Sequence, residues 1–287
     1  MRGLVTLLEA NRPTVQSEDG QQYLCYLKGR VRRDVGRILV GDQVEFEVTG
    51  PGEGRIDVVL PRVNQLVRPP VANVTGLWVI FSLVSPSGNL ELLDRRLVMG
   101  HLMGLAQEII FSKVDLVEGE LRARLEQLLS TYRAIGYPVW PVSATMGQGL
   151  ASLVSHPRRG LWVLTGESGA GKSSLLKALI PAAPVATNAL SRIGRGQQTT
   201  RWVRLYALGN AWLADSPGYT ALETQVSDRR RIVEAFPEFR DAACRFADCL
   251  HGQEPGCGVQ EALREGRIAE WRYRHYRKLL TDWVKSY

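Results

Sequence analysis

The spacing of apolar and polar positions changes character along the chain. Up to residue 67, short apolar runs are broken by turn residues: LVTLLEA, QQYLCYLKG, RILVGDQVEFEV and RIDVVL. In Val44-Glu45-Phe46-Glu47-Val48 every second side chain is apolar, which is half-buried strand spacing, and Gly-Asp, Gly-Pro-Gly and Gly-Arg supply the turns. Several short strands in so short a stretch predict a small β-barrel such as an OB-fold. From Val71, strand-like runs (LWVIFSLV, QEIIFS, YPVWPVS, LWVLTG, AWLADSPG) alternate with helical ones (LELLDRRLVMGHLMG, EGELRARLEQLLSTYRAIG, SSLLKALI). That alternation predicts an α/β domain with a parallel sheet. Beyond Arg229 the pattern is helical, then loop-like around three cysteines, then helical again through EALREGRIAEWRYRHYRKLLTDW. The predicted fold is multidomain α+β: a barrel over 1–67, an α/β domain over 68–228 and a small helical domain over 229–287.

Composition narrows the class. The chain has 287 residues, 45% hydrophobic and 23% charged, which excludes a disordered or fibrous protein. A net charge of +7 without a basic tail means that a polyanion would meet patches on folded surfaces. The longest strongly apolar stretch, about Leu77–Val84, falls far short of the ~20 residues of a membrane span, and MRGLVTLLEANRP does not read as a signal peptide. A soluble, cytoplasmic chain is expected.

Candidate chemistry begins with Gly166-Glu167-Ser168-Gly169-Ala170-Gly171-Lys172-Ser173, a GxxxxGK[ST] loop after a strand and before a helix that opens at Ser174. Its glycines let backbone N–H groups approach phosphate closely. Lys172 is expected to neutralise the β/γ-phosphates, and the Ser173 hydroxyl to ligate Mg²⁺. Downstream, Asp215-Ser216-Pro217-Gly218 closes an apolar run as a DxxG element, with Asp215 suited to the Mg²⁺ shell and the Gly218 N–H to the γ-phosphate. Between them, Gly194-Arg195-Gly196-Gln197-Gln198-Thr199-Thr200-Arg201 has the composition of a switch, in which a threonine such as Thr200 completes the Mg²⁺ shell.

Upstream, Ser112-Lys113-Val114-Asp115 and Ser143-Ala144 each follow a predicted strand. An [N/T]KxD element reads guanine: the Asp accepts from N1–H and the exocyclic amine, and the Lys stem stacks along the ring. An SA element offers a backbone N–H to O6. Here both precede the phosphate loop, the reverse of the usual order. A circularly permuted GTPase accounts for that order, and it leaves the switch and DxxG near the domain's C-terminal end, next to the following domain.

Cys244, Cys249, His251 and Cys257 place three thiolates and an imidazole in a Gly/Pro-rich loop, a donor set for structural, tetrahedral Zn²⁺. Cys25 lies apart and reads as a small hydrophobe. Two basic clusters each carry two readings. Lys28, Arg30, Arg32, Arg33 and Arg37 form either a solvated strand edge or an RNA-binding patch on the barrel. Arg264, Arg267, Arg272, Arg274, Arg277 and Lys278, interleaved with aromatic residues, form either a helix packed on the zinc loop or an RNA-facing one.

With these motifs in place, the sequence resembles the ribosome small-subunit-dependent GTPase A (RsgA) family over nearly its whole length. The likeness includes RILVGDQVEFEV, LPRVNQLVRPPVANV, LLDRRLV, CRFADCLHGQEPGCGV and EGRIAEWRYRHYRKLL. It implies an OB-fold, a circularly permuted P-loop GTPase domain and a zinc-binding C-terminal domain. It also implies binding to the small ribosomal subunit and its rRNA, subunit-stimulated GTP hydrolysis followed by release, and a monomer without membrane contact. By position, the phosphate loop corresponds to Gly166–Ser174, the switch to Gly194–Arg201, DxPG to Asp215–Gly218 and the zinc ligands to the Cys/His set. Ser112 stands where the family usually has Asn, and Gln198 where it usually has a histidine proposed to assist the attacking water. A glutamine orients water but is no general base near neutral pH. The alternatives are a nucleotide-gated rRNA-binding factor with weak or no hydrolysis, and a P-loop ATPase or kinase.

Overall fold

The computed structural model describes residues 1–9, 12–29, 31, 36–181, 183, 203–215 and 228–282. Arg30, Arg32, Arg33, Gln198, Thr199, Thr200 and Gly218 lie outside the described residues. The first five strands are β1 (Arg2–Glu9), β2 (Arg12–Ser17), β3 (Gln22–Leu27), β4 (Gln43–Gly50) and β5 (Glu53–Val59). They pair in the order β1-β2-β3-β5-β4, and β4 returns to β1 to close the barrel. Its interior holds Val5, Val15, Cys25, Val44, Phe46 and Ile56. Cys25 packs there as a free thiol, pushed up to about 11 by burial. At Gly54 a side chain would have no room, because an added Cβ would lie 2.8 Å from the Cys25 sulfur.

A short β6–β7 ladder (Gln65–Leu66 with Val71–Ala72) leads into the second part. Side chains staple this linker. Asn64 exchanges two hydrogen bonds of 2.8 Å with the Val74 backbone, and Arg62 grips the fully buried Asp42 at 2.7 and 2.8 Å.

The α/β sheet contains β8 (Val74–Ser82), β9 (Ala106–Ser112), β10 (Val139–Pro141), β11 (Gly160–Gly166), β12 (Arg204–Leu208) and β13 (Ala211–Asp215). The order is β10-β9-β8-β11-β13-β12, all parallel except β12. Strands buried on both faces need apolar side chains on both, and β8 shows this. Leu77, Val79 and Phe81 join one core with Leu93 and Leu97 of α1 (Leu90–Leu102) and Leu125 and Leu128 of α2 (Glu120–Ala134). Trp78 and Ile80 join the other with Leu153 of α3 (Leu150–Ser155) and Leu175 and Leu176 of α4 (Lys172–Leu179).

The barrel is continuous with this sheet. Strand β1 pairs antiparallel with edge strand β12 at Leu7↔Arg204, and Arg204 in turn faces Asp215 on β13. Leu4 and Leu8 pack against the α/β core from the barrel side.

The C-terminal part consists of α5 (Arg230–Glu234), a tight turn at Pro237–Phe239, a cysteine loop, α6 (Gly258–Arg264) and α7 (Glu270–Asp282). It shares a core with Val98, Met99 and Leu102 of α1. Beside that core the Asp94 carboxylate, with no exposure, accepts from Tyr132 Oη at 2.7 Å, meets His275 Nδ1 at 2.6 Å and is paired with Arg272. Arg272 is 1% exposed and also binds Glu238 at 2.7 and 3.0 Å.

These contacts settle much of the choice over the last helix. Arg272 faces inward, Lys278 pairs with Glu91 at 2.8 Å, and Tyr273 and Tyr276 bond the cysteine loop, so α7 is first a packing helix. Arg264, Arg274 and Arg277 remain exposed.

Removing the Arg272 guanidinium would strand two buried carboxylates. Arg272→Ala is therefore expected to destabilise the protein by about 3–5 kcal/mol in denaturant unfolding. The exposed Arg274→Ala should stay within about 0.5 kcal/mol. Equal effects of the two would contradict the network's role.

Candidate nucleotide and metal sites

The C-terminal ends of β8, β9, β10, β11 and β13 meet at one edge of the parallel sheet, where open α/β sheets bind ligands. The loop after β11 turns sharply before α4, and its glycines make this possible. Gly169 and Gly171 have φ of 78° and 98°, and an added Cβ at Gly169 would lie 2.7 Å from Pro86 Cδ. Lys172, first residue of α4, folds over its own loop and donates to Gly166 O at 2.8 Å and Glu167 O at 2.7 Å. Burial lowers the pKa of its ammonium, the charge of Arg96 adds to this, and Asp215 and Glu167 oppose it. A desolvated cation held by two carbonyls suits exchange onto phosphate oxygens. Ser173 follows in the first turn of α4, and Asp215 ends β13, the strand next to β11.

The base-reading candidates lie against this loop. Ser112 ends β9, and its hydroxyl sits 2.5 Å from Ala170 O and 3.2 Å from Phe81 O. A hydroxyl carries one proton, and the shorter contact shows a tie to the phosphate loop. Lys113 is left-handed, with φ 57°, and its ammonium bridges Ser85 O and Gly169 O, the latter at 2.7 Å. Asp115 lies in the Val114–Leu116 turn, and its Oδ1 is buried with no hydrogen-bond partner among the described residues. Such an acceptor is costly unless donors cover it, and guanine N1–H and its amine are donors of the right kind.

Ser143 is fully buried; its amide bonds Gln148 O at 2.9 Å and its hydroxyl accepts from Met146 N at 3.0 Å. That closed turn sets Ala144 just past the end of β10. Behind it, Glu108 is held by Arg158 at 2.7 and 2.5 Å and by Trp140 Nε1 at 2.7 Å.

The loop after β8, Ser85–Asn89, also lines this edge. The sequence motifs pass over it, although a loop following a parallel strand next to β11 belongs there by topology. Asn89 N donates to Glu167 Oε2 at 2.7 Å, and the buried Arg96 of α1 carries its charge close to Glu167 and Lys172.

The second site is the cysteine loop. The donor atoms of Cys244, Cys249, His251 and Cys257 all lie within 4.8 Å of one another. His251 Nδ1 is 3.5 Å from the Cys244 and Cys257 sulfurs, and those two sulfurs are 3.9 Å apart. Tetrahedral zinc, with Zn–S near 2.3 Å and Zn–N near 2.0–2.1 Å, needs edges of about 3.5 and 3.8 Å. Burial pushes the Cys249 thiol up to about 12, whereas a bound cation would favour the thiolate. The loop is held from outside: Gln260 donates to His251 O and Gly252 O at 2.9 Å each, and Tyr276 Oη to Leu250 O at 2.6 Å. The cluster can therefore hold a zinc ion with no ligand position open.

Of the barrel's basic cluster, Lys28 is exposed and 3.8 Å from Asp57, and Arg37 is exposed.

Comparison with known proteins agrees with this geometry. A family model described as RsgA GTPase matches residues 59–225. A Geobacillus thermodenitrificans protein named small ribosomal subunit biogenesis GTPase RsgA is 41% identical over 267 residues, covering 92% of this chain and 91% of its own. A Bacillus cereus protein of the same name is 38% identical over 271 residues, covering 93% and 92%. Among solved structures, YjeQ from Thermotoga maritima superposes with a TM-score of 0.84 at 32% identity, covering 99% of this chain and 98% of its own. YloQ, described as a circularly permuted GTPase, gives 0.82 at 30%, covering 100% and 96%.

The Ser112 hydroxyl fastens β9 to the phosphate loop, so Ser112→Ala is expected to weaken binding of fluorescent GDP by about threefold to tenfold, the worth of one neutral hydrogen bond. An unchanged dissociation constant would show that this tie does not shape the site.

Proposed function

The chain belongs to the RsgA GTPase family, and on that premise we propose that it binds the small ribosomal subunit late in assembly and hydrolyses GTP to time its own release. The observation that carries the nucleotide part is the buried Asp115 Oδ1, without a hydrogen-bond partner among the described residues, beside a phosphate loop tied down through Ser112. In this reading the chain divides into an RNA-binding barrel (1–67), a permuted GTPase domain (68–228) and a zinc-binding domain (229–287), acting as a cytoplasmic monomer.

Lys172 leaves its two carbonyl partners for the β/γ-phosphates, and the amides from Glu167 to Ser174 line the phosphate chain. Lys113 stacks along the base, Asp115 accepts its N–H groups, and the Ala144 amide reaches O6. Ser173, Thr200 and Asp215 would hold the magnesium ion that accompanies GTP and spreads charge over the β- and γ-oxygens. Gln198, with Thr199 beside it, orients the attacking water without removing its proton, and the Gly218 amide meets the γ-phosphate. Catalysis then rests on positioning and charge, so basal turnover is slow and a partner can add ~10³–10⁵-fold. The zinc ion, held by Cys244, Cys249, His251 and Cys257, keeps the last domain folded. Lys28 and Arg37, with Arg30, Arg32 and Arg33, contact rRNA phosphates on the barrel side.

GTP turnover measured with and without purified small subunits tests the reading. Stimulation of at least a hundredfold is expected, and ATP should not compete for the site. Binding of subunits in the GTP state without stimulation would instead mark a gated RNA-binding factor, and no binding at all would sink the reading. For the metal, one zinc per chain is expected by elemental analysis. Cys257→Ser should lose it and lower the unfolding temperature of the C-terminal domain by several degrees.

A further inference from the structure

The phosphate-loop glutamate has a contact that its place in the motif does not require. In a GxxxxGK[ST] loop the second residue serves through its backbone. Here the Glu167 carboxylate turns away toward α1 and accepts from Asn89 N at 2.7 Å. Asn89 is the N-cap of that helix, and its own side chain accepts from Glu91 N at 2.8 Å. A carboxylate here also lies at the positive end of a 13-residue helix. The neighbouring residue is small by necessity: a Cβ at Gly88 would lie 2.7 Å from the Phe81 ring and 3.1 Å from Glu167 Oε2. Arg96, about two turns further along α1 and buried, has its guanidinium favoured against that burial by the charge of Glu167.

Segment Ser85–Asn89 is thereby fixed to the phosphate loop at both ends. Lys113 bridges Ser85 O to Gly169 O, and Glu167 holds Asn89. The helix that starts at Leu90 carries Asp94, bound to Arg272 and His275, and then Val98, Met99 and Leu102 in the core of the cysteine-loop domain. One helix thus touches the phosphate loop at its start and the C-terminal domain along its length.

We propose that Glu167 is a positioning residue that fastens the phosphate loop to α1, and with it to the helix on which the C-terminal domain is seated. It touches no reacting atom; it acts by limiting how far the loop can open without moving α1. The consequence for nucleotide rests on the GTP-binding reading above, whereas the tie itself does not.

Two measurements on the full-length, zinc-loaded protein test it. In the nucleotide-free protein, Glu167→Ala should raise hydrogen exchange in peptides covering 86–92 and 166–172, while peptides of the barrel stay as in the wild type. With fluorescent GDP, Glu167→Ala should speed release by about tenfold, the effect of one charge-assisted hydrogen bond. Glu167→Gln keeps an acceptor oxygen on the same stem and should return both readouts to within about twofold of wild type. A Gln variant as impaired as Ala would overturn the proposal in favour of a purely electrostatic role with Arg96. Unchanged exchange and release in Glu167→Ala would overturn it outright. Failure of the wild type to bind GDP would count against the GTP reading, and exchange would still decide the tie.

Discussion

A carboxylate removed from water must be compensated fully or it unfolds its surroundings, and Asp94 sets that condition for this molecule. Its three partners come from different places: Tyr132 from α2, and Arg272 and His275 from the last helix. Arg272 needs Glu238 as well, which draws in the turn before the cysteine loop. Neither the Asp94 carboxylate nor the Arg272 guanidinium is tolerable alone at such depth. Helix α1 in the sheet domain and the last helix of the C-terminal domain therefore stabilise each other's placement. The orientation of α1 is fixed by this condition, and its N-terminal end is where the phosphate loop finds Asn89.

The layout of the candidate sites was legible in the sequence to the extent that it depends on local backbone. Gly166–Ser173 must turn tightly after a strand, SKVD and SA must end strands, and a Cys/His set must share a loop; each constraint acts over a few residues. The barrel was legible for the same reason, since alternation such as that of Val44–Val48 dictates which side chains face in. Long-range partnerships were not. Nothing near Arg272 announces that it meets Asp94, 178 positions earlier, and an arginine among aromatics suits an RNA surface equally well. The Ser112 substitution was legible as a departure. That its hydroxyl still reaches Ala170 O follows only from how closely β9 approaches the phosphate loop.

Reversed motif order suggests that nucleotide-driven movement would pass into the domain that follows DxPG. The topology adds a second neighbour. Strand β12 lies at the sheet's edge, and an unpaired edge is an exposed row of donors and acceptors. The barrel covers it through β1, so Leu7, Arg204 and Asp215 stand in one row across three strands. Asp215 is two strands from the barrel. The C-terminal domain reaches the nucleotide edge by a different element, α1. The sheet domain that carries the phosphate loop thus meets the barrel at β12 and the C-terminal domain at α1.

The distribution of charge follows from the same packing. A net +7 invites the view that basic residues gather where a polyanion binds. Yet Arg62 binds Asp42, Arg158 binds Glu108 against three tryptophan rings, and Arg272 binds two carboxylates, all in poorly exposed positions. Such pairs leave the sum unchanged but contribute little field outside the protein, because each cation's partner lies within about 3 Å. The field that a distant phosphate meets comes from residues such as Arg37, Arg264, Arg274 and Arg277, which stand exposed. These lie on the barrel and on the C-terminal domain, whereas the Arg62 and Arg272 pairs join parts of the chain and the Arg158 pair lies within the sheet domain. Arginine thus has two jobs in this chain, and burial rather than sequence position separates them: a planar fork with five donors closes joints inside, and the same group left in water is available to a polyanion.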